Sequence, residues 1–367
     1  MRRERFFRMT RAEALALLES APVIHLASTT PEGAPILRTL HGVVVDDALC
    51  FHAAPVGEKV ESLGRAVVIS CEELVASIPS YFVDPERACP ATTLYRSAQL
   101  HGTLERVDAP PHKARVLGAL MAKYQPEGGH LPLDVAHPSY DALYEKQVAA
   151  LLIVQVRLAD LDGKAKLMQN RSPEERCRVL EQLWARGLDG DPRAIELIRQ
   201  ANPDTPTPPF LRFEPLFENS NGRSKVPVTL HCALDPGDVA AAVELLAPEY
   251  WNIDTFGRER IAGAILGSPV FVGARVDGRL VACARAISDG HKYAWVYDVV
   301  VAPEWRGGGL GEAVMRLCLD HPRVRGAARV LLQTRDAQPL YHKLGFIDAA
   351  DAPPRPYPST SMLRIQR

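Results

Sequence analysis

Six consecutive residues, Arg306-Gly-Gly-Gly-Leu-Gly311, follow a run of valines (Val296, Val299, Val300, Val301) and precede Glu312-Ala-Val-Met315, which reads as the opening of a helix. Glycine brings no Cβ to such a turn, and the N–H groups of a helix's first turn have no partner inside the helix. The order strand, glycines, helix therefore aims several donors and the positive end of a helix dipole at one point, where a phosphate fits. The candidate cradle is Arg306, Gly307, Gly308, Gly309, Leu310 and Gly311, with Val299, Val300 and Val301 as the strand running beside the cofactor. No Lys-Ser/Thr pair follows the glycines, so this is not a P-loop. Glu312 stands third after Gly309, so the dinucleotide fingerprint G-x-G-x-x-G is missing too. Neither ATP nor NAD is favoured.

Two carboxylates flank the turn: Asp298, set among the valines, and Glu304, just beyond them. Either is a candidate general base acting through water. The pattern Arg306-x-x-Gly309-x-Gly311, followed about thirty residues later by Leu340-Tyr-His-Lys-Leu-Gly-Phe346, resembles the GCN5-related N-acetyltransferase (GNAT) superfamily, as do Tyr297-Asp-Val-Val-Val-Ala-Pro303 and Gln333-Thr-Arg-Asp336. The resemblance covers roughly residues 230–367. It implies an α/β GNAT fold, acetyl-CoA as cofactor with its pyrophosphate on the turn, and a small amine as acceptor. It also places Tyr341 near the thioester sulfur, where a phenol can protonate the leaving thiolate.

The first half carries a different set. Phe51-His-Ala-Ala with Gly57-Glu-Lys59, Tyr95-Arg-Ser97 with Gly102, Met121-x-Lys-Tyr124 and Gly163-Lys-Ala-Lys-Leu-Met-Gln-Asn170 resemble the flavin-nucleotide-binding split barrels related to pyridoxamine 5'-phosphate oxidase, nitroimidazole resistance proteins among them. The resemblance implies FMN and a homodimer, because the flavin of such barrels lies at a two-fold interface. An isoalloxazine needs hydrogen bonds at its pyrimidine edge, which the backbone of Arg38, Thr39, Leu40, His52 and Ala53 can offer. A phosphate tail needs cations and hydroxyls, for which Lys59, Arg96 and Ser97 beside Tyr95 are the candidates. His41 and His52 raise haem as a rival ligand. No spacing of the H-E-x-x-H kind supports zinc, so no metal site is expected.

These groups need elements to position them. Short β-type runs at 23–29, 36–45, 48–54, 66–72, 95–107 and 149–158, with turns at Pro31-Glu-Gly33 and Asp46-Asp47, predict a six-stranded antiparallel split barrel with helices. Thr10 and Glu13 form a capping box, and Ser172 caps a helical stretch over Pro173–Gln200 that breaks near Gly187–Asp191. Four prolines in Asn202-Pro-Asp-Thr-Pro-Thr-Pro-Pro209 open a linker. The expected division is 1–201 for the barrel, 202–228 for the linker and 229–367 for the transferase. In the last part, strands at 270–276, 280–287, 293–301 and 328–334 alternate with helices at 309–321 and 336–344, and an apolar stretch follows.

With 367 residues, two cores are expected. Seven scattered cysteines without a C-x-x-C indicate neither a disulfide framework nor a thiolate zinc site. Forty-three basic against 44 acidic residues give net charge -1 and no general pull toward nucleic acid. No apolar run approaches the roughly 20 residues that cross a bilayer, and the start lacks a signal peptide's apolar core, so a cytoplasmic location is expected. Besides the acetyltransferase fused to a flavin barrel, a flavin-dependent oxidoreductase and a flavin- or haem-binding sensor are the competing functions.

Overall fold

The computed structural model describes residues 4–214, 216–219, 222–225, 227–352, 362 and 364. The chain divides into two compact units, Met1–Arg176 with Leu197–Thr205, and Cys177–Glu196 with Pro206–Arg367.

The first unit runs α1 (Glu4–Phe7), α2 (Arg11–Ser20), β1 (Ile24–Thr29), β2 (Pro35–Leu40), β3 (Val43–Val45), β4 (Ala48–Ala53), α3 (Glu58–Glu61), β5 (Ala66–Ile78), β6 (Thr92–Thr103), β7 (Glu105–Val107), α4 (Pro110–Tyr124), α5 (Tyr140–Leu143), α6 (Glu145–Ala150), β8 (Leu152–Arg157) and β9 (Asp160–Lys166). The strands form two antiparallel sheets, β2-β1-β5-β6-β9 and β3-β4-β8-β7. Their inner faces meet over Ile24, Leu26, Leu49, Phe51, Ile69, Leu100 and Val154, all almost wholly buried. The expected capping box forms: Glu13 N–H donates to Thr10 Oγ1 at 3.2 Å and Thr10 N–H to Glu13 Oε2 at 2.7 Å.

Sheets of five and four strands replace the six expected, for local reasons. The run 36–45 splits at Gly42, where a Cβ would lie 2.8 Å from the Ile24 side chain, so the chain leaves one sheet and enters the other. The run 95–107 splits likewise into β6 and β7. In β9 the residues Asp160, Asp162, Lys164 and Lys166 alternate with Leu161, Gly163 and Ala165, so charge outnumbers the inward residues in this strand. A Cβ on Gly163 would stand 2.8 Å from Ala14, because α2 lies directly on the strand.

Next come α7 (Pro173–Arg186) and α8 (Asp191–Ala201), capped by Ser172 as expected, with Gly187 at φ +69° between them. Residues 177–196 belong to the second unit, not to the first. Trp184 is the reason: its ring stacks on Phe210 at 4.5 Å, its indole N–H donates to Asp320 at 2.7 Å, and Arg325 donates to its carbonyl. The expected linker is also structured in part. Leu216–Asn219 (β10) and Gly222–Lys225 (β11) pair as a hairpin, a register that the polar composition of 218–224 concealed.

The rest of the second unit is β12 (Thr229–His231), α9 (Val239–Leu246), α10 (Arg258–Leu266), β13 (Val270–Val276), β14 (Arg279–Ser288), β15 (Tyr293–Val301), α11 (Leu310–Asp320), β16 (Arg329–Leu331) and α12 (Gln338–Lys343). They build one sheet in the order β12-β13-β14-β15-β16, antiparallel except for the β15–β16 pair, which α11 connects. Ala282, Ala284 and Ala286, all buried on one face of β14, leave room for a helix there. On one face α9 and α10 pack Val243, Leu246, Ile261 and Ile265 against Phe271, Cys283 and Val300. Of the last apolar stretch, residues 353–361, 363 and 365–367 lie outside the described residues. Cys50, Cys71, Cys232, Cys283 and Cys318 are buried, as small core residues.

At the end of α11 sits His321, 3% exposed, edge-on to Trp184. Burial, with Arg325 and Arg323 nearby, pushes its pKa down to about 4. The unfolded chain takes up this proton near 6.5 and the folded chain does not until about 4. Protonation therefore favours unfolding: His321's contribution is present above pH 6.5 and lost as the pH falls from 6.5 to 4. At 1.36 kcal/mol per unit the loss is about 3 kcal/mol. Urea unfolding should show this slope between pH 6.5 and 4, and His321→Gln should flatten it; equal slopes in both proteins would refute the assignment.

Candidate functional site

The glycine turn lies where the sequence puts it, between β15 and α11. Gly307 and Gly309 have φ of +85° and +81°, a region closed to most side chains, and Gly309 is the N-cap of α11. The first helical bond runs from Ala313 N–H to the Gly309 carbonyl, so the N–H groups of Leu310, Gly311 and Glu312 are left for a ligand. Gly311 has room for a side chain: its Cβ would lie 3.5 Å from Val301 and 3.7 Å from Leu340, an ordinary contact.

The cavity beside this turn, about 1350 Å³, exists because two neighbouring strands part. β15 pairs with β16 only over Tyr293–Trp295 and Arg329–Leu331. Beyond that point Val296–Val301 line the cavity from one side and residues 332–337 from the other. The backbone groups that a longer β16 would have paired face the opening.

A bulge sits at the same place. Arg285 pairs with Tyr297 and Cys283 with Val300, so two residues, Asp298 and Val299, oppose one on β14. Asp298 takes the left-handed conformation, φ +52°. Tyr297 and Val300 thereby share the α9–α10 face, while Val301 faces α11 beside Gly311. Both carboxylate oxygens of Asp298 are occupied: Oδ1 accepts from the Trp251 indole at 2.9 Å, and Oδ2 from Arg285 Nε. Arg285 in turn lies 4.8 Å from the Tyr297 ring centroid.

Tyr341, on α12, is 8% exposed and lines the cavity. Burial, then Tyr250 and Asp336, raises its pKa above the ordinary phenol value, so it keeps its proton at neutral pH. Glu304 does not line the cavity and pairs with Arg279 at 3.4 Å. Glu249 does line it, with Oε1 3.2 Å from Arg306 Nη2; Arg306 Nε also donates to the Val301 carbonyl at 2.9 Å. Sequence reasoning missed Glu249 and the ring-bearing residues Tyr250, Trp251, Phe256, Trp295 and Tyr297. The alternation Tyr293-Ala-Trp-Val-Tyr297 was the one readable signal for the last two.

The flavin candidates fall into two sets. Arg38, Thr39 and Leu40 lie on β2, and Tyr95, Arg96 and Ser97 on β6 of the same sheet, three strand spacings or about 14 Å away. Thr39 Oγ1 is 3.3 Å from His25 Nδ1, whose Nε2 is 3.1 Å from Glu72 Oε1. Arg96 holds Glu73 through two nitrogens at 2.7 and 2.5 Å. His52 and Ala53 lie on β4 in the other sheet, paired with Ile153 and Leu152. Burial lowers the His52 pKa, with Lys59 and His41 adding to it. Among the described residues no three His, Cys, Asp or Glu side chains gather into a metal site, and no helix is long and apolar enough to cross a membrane.

Residues 10–165 match the family profile described as pyridoxamine 5'-phosphate oxidase, and residues 238–346 match the acetyltransferase (GNAT) family. Serotonin N-acetyltransferase 2, chloroplastic, of Oryza sativa subsp. japonica is 43% identical over 79 residues, covering 20% of this chain and 38% of that protein. Glucosamine 6-phosphate N-acetyltransferase 1 of the same plant is 38% identical over 93 residues, covering 25% and 47%. The chain thus spans less than half the length of each of these curated relatives. A solved structure from Bacteroides thetaiotaomicron, described as a 5-nitroimidazole antibiotic resistance protein, is 18% identical over 43% of this chain and 85% of that one, with TM-score 0.35. The chain joins a domain of the pyridoxamine 5'-phosphate oxidase family, at residues 10–165, to a domain of the GNAT acetyltransferase family, at residues 238–346.

Proposed function

We propose that this chain transfers the acetyl group of acetyl-CoA to a small amine, and that its first domain holds FMN as a homodimer. The observation that carries the transferase reading is the left-handed Gly309 capping α11 at the mouth of the parted strands, with Tyr341 lining the same cavity. The pyrophosphate would rest on the free N–H groups of Leu310, Gly311 and Glu312, and the pantetheine amides along Val299–Val301. Acetyl-CoA supplies an activated acyl carbon. The amine nitrogen forms a bond to that carbon as the C–S bond breaks, and Tyr341 gives its proton to the departing sulfur. Glu249 takes the amine's proton through water, since its second oxygen has no donor among the described residues. Asp298, with both oxygens occupied, positions Arg285 and Trp251.

For the flavin, Lys59 is the better phosphate partner, because Arg96 is engaged by Glu73. A bound flavin would supply two-electron redox chemistry. The closely filled core supports a site outside it. A two-fold partner is supported by Leu37 and Leu74, 62% and 70% exposed on the sheet face that carries Thr39 and Glu72. Native mass spectrometry of the full-length protein, followed by release of its small molecules, is expected to give a dimeric mass with FMN and coenzyme A. A monomer that takes up no added FMN would end the flavin reading, and one that takes up no acetyl-CoA the transferase reading.

A further inference from the structure

Resting on the acetyl-transfer reading, we propose that the acceptor is a primary amine carried on a flat aromatic body, such as an arylethylamine. The cavity has two differently built ends. The α11 end is glycine backbone and valine; the α9–α10 end is walled by rings. Tyr250, Trp251 and Phe256 come from the connection between α9 and α10, and Trp295 and Tyr297 from β15 before its bulge. Trp295 and Tyr297 lie near-parallel on the same strand, with centroids 6.0 Å apart and planes 16° from parallel.

Arg285 backs Tyr297, and the bond from the Trp251 indole to Asp298 fixes that ring across the connection. Tyr250, Phe256 and Tyr297 nevertheless remain 42%, 48% and 38% exposed. Exposed rings gathered around a concavity mark surface that a ligand covers, and rings are best covered by another ring. A polyamine or an amino sugar placed there would bring no ring of its own to cover them. An alkyl amine would bury area without stacking. The bulge also sets the meeting point, because residues before it line the ring-walled face and Val301 beyond it faces α11. The amine of an acceptor stacked on Tyr297 is thereby directed toward the gap between β15 and β16.

The test compares tryptamine and phenethylamine with hexylamine, spermidine and glucosamine 6-phosphate. Thiol release from acetyl-CoA gives kcat/KM, and calorimetry on the coenzyme A-bound full-length protein gives amine affinity. Aromatic amines are expected to bind and react about tenfold better than hexylamine, the size of one or two ring contacts. Tyr297→Leu should bring that ratio to within twofold while acetyl-CoA affinity stays the same. Phe256→Leu, at a more exposed ring, gives the same reading should Tyr297→Leu fail to fold. Thiol release that is equal for all amines, or better with spermidine or the amino sugar, would overturn the proposal and leave the transferase reading standing. Tight tryptamine binding lost in Tyr297→Leu, without thiol release, would uphold the ring-walled site and overturn transfer. Failure of both aromatic amines to bind would overturn the proposal.

Discussion

Gly309→Val is expected to weaken acetyl-CoA binding by about 100-fold or more, while the protein still folds. Two effects add. A β-branched residue at φ +81° carries a left-handed penalty of about 1–2 kcal/mol, which the turn relieves by swinging its N–H groups out of line. The new side chain also occupies the mouth of the helix where the phosphate oxygens must approach. The fold tolerates the change because nothing but the Phe213 ring, at 3.8 Å, would meet the Cβ. Gly311→Ala is the control: its Cβ makes only ordinary contacts with Val301 and Leu340, so near-normal affinity is expected. Calorimetric titration with acetyl-CoA, beside a thermal melt, reads both. Full affinity in Gly309→Val would dismiss the turn as the phosphate site.

Tyr341→Phe should lower kcat by roughly 10²-fold with little change in acetyl-CoA affinity, as for loss of a positioned acid. The pH dependence has a definite sign. The acid works only while protonated, and burial holds its pKa above 10; the Tyr341 limb of the wild-type kcat profile must therefore fall above pH 10, not near neutrality. The residual activity of the phenylalanine variant should lack that limb. A variant with wild-type turnover would show that Tyr341 merely packs against Phe346, whose ring lies edge-on at 5.8 Å.

The turn was legible because glycines placed between a valine strand and a helix have few other uses, and every residue involved is local in sequence. β15 was read to the residue for the same reason. What decides the rest of the site is long-range. The occupied carboxylate of Asp298 depends on a register with β14 and on an indole 47 residues away. No property of the Asp-Val-Val-Val stretch announces either. Glu249 and the ring-bearing connection were missed along with their flanking helices, because Val-Ala-Ala-Ala-Val-Glu-Leu-Leu in α9 is apolar on nearly every side and shows no period. In the first domain Arg96 read as a free cation, and only the strand pairing reveals Glu73 directly opposite. β9 was hidden by charge: its outward residues dominate the composition, and of its inward ones only Leu161 is large.

The way the units share the chain bears on how this protein can be made and cut. Residues 177–196 belong to the second unit and 197–205 to the first, so the two trade segments in sequence order. A growing chain cannot complete its first unit until residue 205 has emerged. By then it already carries α7, whose partners Phe210, Asp320 and Arg325 have not been made. Trp184 and its neighbours must wait, exposed, for more than a hundred residues of synthesis. A protease site or a gene fusion placed at residue 201 would therefore not separate two finished modules. It would strip the second unit of the helix that stacks on Phe210 and leave that helix, with its apolar face open, on the first.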